Sequence, residues 1–87
     1  MRVLQTSQFK KDLRNSHKRG KDLQKLKEVI DALVSLEPLP PKQRDHVLAG
    51  KWLGWRECHL APDWLLIYKR CPDELVLGRT GSHSDLF

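Results

Sequence analysis

The chain has 87 residues, and 39% hydrophobic against 31% charged residues place it among folded globular domains rather than disordered tails. That length allows one small domain, with a radius of gyration of roughly 12 Å and about 60–65% of the unfolded surface buried. No apolar run approaches the ~20 residues of a membrane span, and the opening MRVLQTSQFK has no apolar targeting stretch, so a cytoplasmic chain with no membrane partner is expected. Cys58 and Cys71 form neither a CxxC pair nor a four-ligand zinc set, and in the cytoplasm they stay reduced.

Charge is unevenly spread. Sixteen Lys and Arg against eleven Asp and Glu give a net +5, but residues 1–27 alone hold nine basic and two acidic side chains. The remaining residues are slightly acidic. A cationic half attracts polyanions or an acidic protein, whereas its structural alternative is a solvated, lysine-rich helix face.

Arg2 to Thr6 reads as a short first strand. Ser7 is the expected N-cap of a helix over 7–19 that carries Phe9 and Leu13 on one face and stops at Gly20. A second helix over 22–36 carries the stripe Leu23, Leu26, Val29, Ile30, Leu33, Val34 and Leu36. Pro38, Pro40 and Pro41 end it, and the short link at Gly20 makes the two helices an antiparallel hairpin. Residues 38–54 show no period, and a connection this long is commonly functional or conceals structure. Three strands follow, at 55–60, 64–69 and 75–80, with turns at Ala61-Pro62 and around Pro72. WLLIYK (64–69) is apolar on both faces, the pattern of a central strand. The expected fold is α+β: β-α-α-β-β-β, an antiparallel sheet packed against an N-terminal helix hairpin.

Two tight hairpins bring polar residues to one sheet edge. A turn at 61–62 sets His59 opposite Trp64, beside Asp63. A turn near 72 sets Leu65 opposite Arg79 and Asp63 opposite Gly81, so His59, Asp63, Arg79 and His83 converge. Two imidazoles, a carboxylate and a guanidinium suit phosphodiester cleavage by a ribose 2′-hydroxyl, which needs a base, an acid and a cation but no metal. The attacking hydroxyl exists only in RNA. Singly, each residue also has a structural role: His59 bonded to backbone, Asp63 capping a turn, Arg79 paired with Glu57 or Asp63, His83 on the surface. Metal binding by His46, His59, His83 and Asp63 ranks lower, because no pair has helical HxxxH spacing. Trp64 is assigned to the core, and Trp52 and Trp55 to packing of the loop. Cys58 points away from its neighbour His59 and is read as structural.

The stretches DHVLAGKWLGWRECHLAPDWLLIYK (45–69) and RTGSHSDLF (79–87), with the opening SQFKKDL, resemble the YafQ-like subgroup of the RelE/ParE toxin superfamily along the whole chain. The resemblance implies a RelE-like fold and a type II toxin that cleaves mRNA on the ribosome and is silenced by a cognate antitoxin in a hetero-oligomeric complex. It implies His46, His59, Asp63 and His83 as the acid–base set, Arg79 as a phosphate contact and Phe87 as a hold on the substrate base. It leaves the role of Glu57 open. No cofactor is implied. Lys10, Lys11, Lys18 and Lys25 on the basic hairpin are the expected ribosome contacts. His83 is assigned as general acid and Asp63 as general base, with His46 as the alternative base. Two other classes remain: a non-catalytic ParE-like gyrase inhibitor, which would not need the histidine set, and a plain RNA- or ribosome-binding module.

Overall fold

A computed structural model describes residues 1–87. Its elements are β1 (Arg2–Gln5), α1 (Ser7–Lys18), α2 (Leu23–Val34), β2 (His46–Val47), β3 (Arg56–Ala61), β4 (Trp64–Cys71), β5 (Glu74–Gly81) and α3 (His83–Leu86), with 3₁₀ turns at Pro41–Gln43 and Gly50–Trp52. The strands form one sheet in the order β1-β5-β4-β3-β2. The expected helix hairpin and strands are present, and the Cα radius of gyration is 12.0 Å.

Four differences from the sequence reading have physical causes. The sheet is mixed, because β1 pairs parallel to β5, with Val3 beside Leu75 and Gln5 beside Leu77. The cap of α1 is Thr6, one residue earlier than Ser7: its Oγ1 accepts from the Phe9 amide at 3.0 Å. That hydroxyl also donates to the Gly78 carbonyl at 2.9 Å, so the strand fixes where the helix begins. Leu36 leaves the helical stripe: α2 ends at Val34, and Leu36 stands exposed with φ +60°. Finally, both hairpin registers slip. The first turn is Pro62-Asp63, and a bulge between His59 and Ala61 sets His59 opposite Leu65 rather than Trp64. A second bulge after Ile67 sets Leu65 opposite Gly81 and Ile67 opposite Arg79. A bulge adds a residue to one strand only, which hydrophobic alternation cannot reveal.

The helices cover one face of the sheet. Phe9, Leu26, Val29 and Leu33 pack on Cys58, Leu60, Trp64, Leu66, Tyr68, Leu75 and Leu77. β4 is central and buried from Trp64 to Tyr68, as its two-sided apolar pattern predicts. The opposite face has a smaller cluster in which Leu65 and Ile67 meet Leu86 of α3, Leu48, Trp52 and Trp55. Trp52 and Trp55 pack edge to face at 5.7 Å, and Trp55 lies so close to Gly78 that a Cβ there would come within 2.6 Å of its ring. Both tryptophans are thus packing groups.

Where β1 ends, α1 takes its place along β5. The Thr80 amide, an edge donor with no strand partner, donates to buried Asp12 at 3.2 Å. Asp12 also accepts from Arg79 Nε at 2.8 Å and Nη2 at 3.1 Å.

Candidate active site

β3 alternates, and the alternation separates two chemistries. Cys58 and Leu60 face the helices; Glu57 and His59 face the other side. β2 is only two residues long, but it pairs His46 with Glu57. From His46 a polar row therefore crosses Glu57 and His59 and reaches His83 at the start of α3. His46 Nε2 lies 3.8 Å and His59 Nε2 3.6 Å from Glu57 Oε1, whose side chain is 6% exposed. The rings of His59 and His83 are 5.6 Å apart at 62°.

His83 is held from both sides of its own residue. Asp63 Oδ1 accepts from the His83 backbone amide at 3.0 Å and from its Nδ1 at 2.7 Å. These two bonds hold the Asp63 carboxyl below its usual range. Since Nδ1 donates, Nε2 is the nitrogen left for chemistry. α3 itself is fixed by a capping box between Ser82 and Asp85. Asp85 also accepts from Arg19, the C-cap of α1, at 2.7 Å, which lowers its carboxyl to about 2.

His46 is set by a different device. Its Nδ1 lies 2.6 Å from the Arg44 carbonyl, so Nδ1 donates and Nε2 is again free. Arg44 takes the left-handed conformation, φ +48° and ψ +46°, which costs a non-glycine residue about 1–2 kcal/mol. Strain of this kind persists only where surrounding contacts impose it.

The structure thus brings together His46, His59, Asp63 and His83, all four expected acid–base residues. Arg79 is the exception: two of its nitrogens are committed to Asp12, a partner that its sequence position did not suggest. Phe87 closes the chain, 60% exposed, with its amide bonded to the His83 carbonyl at 2.9 Å. Glu57, whose role the sequence left open, is the buried centre of the row. The signal for it was present, since a residue two before His59 on a strand shares its face. Cys58 is inert: burial, and secondarily nearby carboxylates, push its thiol up to about 12. Lys10, Lys11, Lys18 and Lys25 are all exposed on the helix hairpin.

A basic hairpin backing a row of three histidines, with the R-T-G-S-H signature at its end, is matched by one family model over residues 1–87: YafQ, bacterial toxin of type II toxin–antitoxin systems. The chain belongs to this family. It is 43% identical to the mRNA interferase toxin YafQ of Escherichia coli K12 over 83 residues, 94% of this chain and 90% of that one. The crystal structure of the E. coli DinJ–YafQ complex superposes with a TM-score of 0.91 at 42% identity, covering 100% of this chain and 99% of that one. A metal-bound toxin from Helicobacter pylori superposes with a TM-score of 0.93 at 43% identity, again over 100% and 99% of the two chains. No helix of this chain is long and apolar enough to cross a membrane.

Proposed function

We propose that the chain cleaves mRNA on the translating ribosome by metal-independent acid–base chemistry, and that a cognate antitoxin silences it. That it is an endoribonuclease of the mRNA-interferase class follows from its family. Ribosome dependence and the mechanism go further. The observation that supports them is the row of imidazoles in which His46 and His83 each spend Nδ1 on a fixed acceptor and present Nε2.

In this reading His46 Nε2 takes the proton of the ribose 2′-hydroxyl. The 2′-oxygen attacks the adjacent phosphorus, and the bond to the 5′-oxygen breaks. His83 Nε2 protonates that leaving oxygen. The products are a 2′,3′-cyclic phosphate and a 5′-hydroxyl. Asp63 leaves the base role first assigned to it, because its Oδ1 accepts two bonds from His83 and its carboxyl is held in its weaker-base form. It becomes the group that orients His83. His59, between Glu57 and His83, supplies positive charge to the phosphorane-like transition state. Arg79 retains Nη1 without a protein partner, and this nitrogen is its available contact to phosphate. Phe87, exposed beside His83, is free to stack on a base.

Lys10, Lys11, Lys18 and Lys25 dock ribosomal RNA, because phosphate contacts position without reading sequence. The test is single-turnover cleavage of one message, naked and in translating ribosomes. Rapid cleavage is expected only on the ribosome, and equal rates on both overturn the reading.

A second reading rests on Glu57, His59 and His83, whose ligand atoms all lie within 4.8 Å of one another. One carboxylate and two imidazoles fit a divalent transition metal. Such an ion would occupy the Nε2 lone pair that proton transfer needs, so metal would inhibit. Cleavage undiminished by chelator and suppressed by added copper or nickel is expected. Cleavage abolished by chelator would reverse the assignment.

A further inference from the structure

His46 sits on the least supported strand of the sheet. β2 has two residues, is the sheet edge, and is exposed at both His46 and Val47. Two ladder positions do not hold an imidazole in one orientation, yet the Arg44–His46 bond is made with Arg44 in the left-handed conformation. Something must pin the chain between them.

Asp45 is that point. Its Oδ1 accepts from the Tyr68 hydroxyl at 2.5 Å and from Arg56 Nε at 3.1 Å. Tyr68 is fully buried in central β4, and Arg56 lies beside it in β3. Burial first, and the bond to Asp45 second, raise the phenol far above its usual range, so it stays protonated and donates. We propose that Asp45, clamped by Tyr68 and Arg56, is a positioning residue that fixes the tautomer and placement of His46. The inference rests on His46 acting in the reaction, but its physical claim concerns the free protein.

Tyr68 is buried in central β4, and Arg56 pairs with it from the first position of β3. They anchor the Asp45 side chain, and with it the backbone of residues 44–46. Arg44 is thereby kept in its strained conformation, its carbonyl directed at His46 Nδ1. The proton then resides on Nδ1, and Nε2 faces Glu57 and the open side. His83 obtains the same tautomer from Asp63; His46 obtains it from backbone, at one remove from a buried tyrosine.

Tyr68→Phe removes one oxygen from a filled core position and keeps the ring. Asp45→Ala removes the acceptor from a surface-facing side chain and guards against a folding defect in the first variant. Long-range proton–nitrogen NMR on the full-length toxin, at a pH where His46 is neutral, reads the tautomer directly. The parent should show the Nδ1–H form alone, both variants a mixture, and Asp45→Asn, which keeps an acceptor oxygen, a largely parental spectrum. Cleavage of ribosome-bound mRNA should fall roughly tenfold in kcat with KM little changed, a fraction of what a proton-transfer group contributes. A parental tautomer in both folded variants overturns the clamp. A mixed tautomer with unchanged cleavage upholds the clamp and removes His46 from the proposed mechanism instead.

Discussion

The two faces of β3 and β4 were built for different ends. On one, Cys58, Leu60, Leu66 and Tyr68 meet Phe9, Leu26, Val29 and Leu33 in a continuous dry layer. On the other, Leu65 and Ile67 are covered by Leu86 of a four-residue helix, by Leu48 and by two tryptophans, and Glu57, His59 and His83 run alongside. Residues one position apart in sequence therefore carry unrelated burdens. The helix-covered face holds the fold through area removed from water. The other face forgoes part of that stabilisation to keep polar groups near one another and open to a substrate.

A pair of substitutions separates the two faces. His83→Ala should cost roughly 10²–10⁴-fold in single-turnover cleavage of ribosome-bound mRNA, the contribution of one proton-transfer group, and change thermal stability little, because the bond it gives up to Asp63 is solvent-exposed. Leu66→Ala, in β4 and facing the helices, should cost about 2–5 kcal/mol of stability, with cleavage per folded molecule preserved. Denaturant titration beside the cleavage assay distinguishes them. A folded His83→Ala protein within threefold of the parent rate would dissolve the division between the faces.

A smaller effect sharpens it. Charge reversal at Lys10, Lys11, Lys18 and Lys25, all on the outer surface of the hairpin, should weaken ribosome binding and flatten its salt dependence. Melting temperature should not move, because these side chains take no part in the layer beneath. Unchanged ribosome affinity at every salt concentration would leave the basic half without its assigned role.

The smallest effect concerns the hinge between site and scaffold. Asp85 is held down to about 2 by Arg19 and by the Ser82 amide, against about 3.9 for a free aspartate. Its folded form favours ionisation, so its contribution is complete above pH ~4 and is lost as pH falls towards 2. Asp63, lowered by its bonds to His83, changes in the same direction. Chemical shifts of residues 83–87 should accordingly depart from their native values in acid before those of β4 do. Simultaneous loss of both would show that α3 has no independent docking equilibrium.

Much of this was legible in the sequence because it depends on local periodicity. A 3.6-residue stripe announced both helices, a two-sided apolar run announced the central strand, and turn residues fixed the hairpins closely enough to gather His59, Asp63 and His83. His46 and Phe87 came from the resemblance of the long motif, not from geometry. Lysines on the hairpin could be read as exposed, since nothing apolar shares their positions.

Only the tertiary structure settled what crosses between distant segments. Parallel pairing of β1 with β5 joins residues some seventy positions apart, and no local pattern encodes such a partner. The bulges that set the register depend on which backbone groups find acceptors across the sheet. Arg79 turned to Asp12 because the Thr80 amide at the β5 edge needed an acceptor and α1 brought a carboxylate there, a meeting visible only once the helix lies along that edge. Glu57 could be placed on the face of His59 from alternation, but its position between two imidazoles required β2, which is too short to leave a periodic trace. Sequence determines what a segment prefers within a few residues; the groups that must be satisfied after burial decide which segments meet.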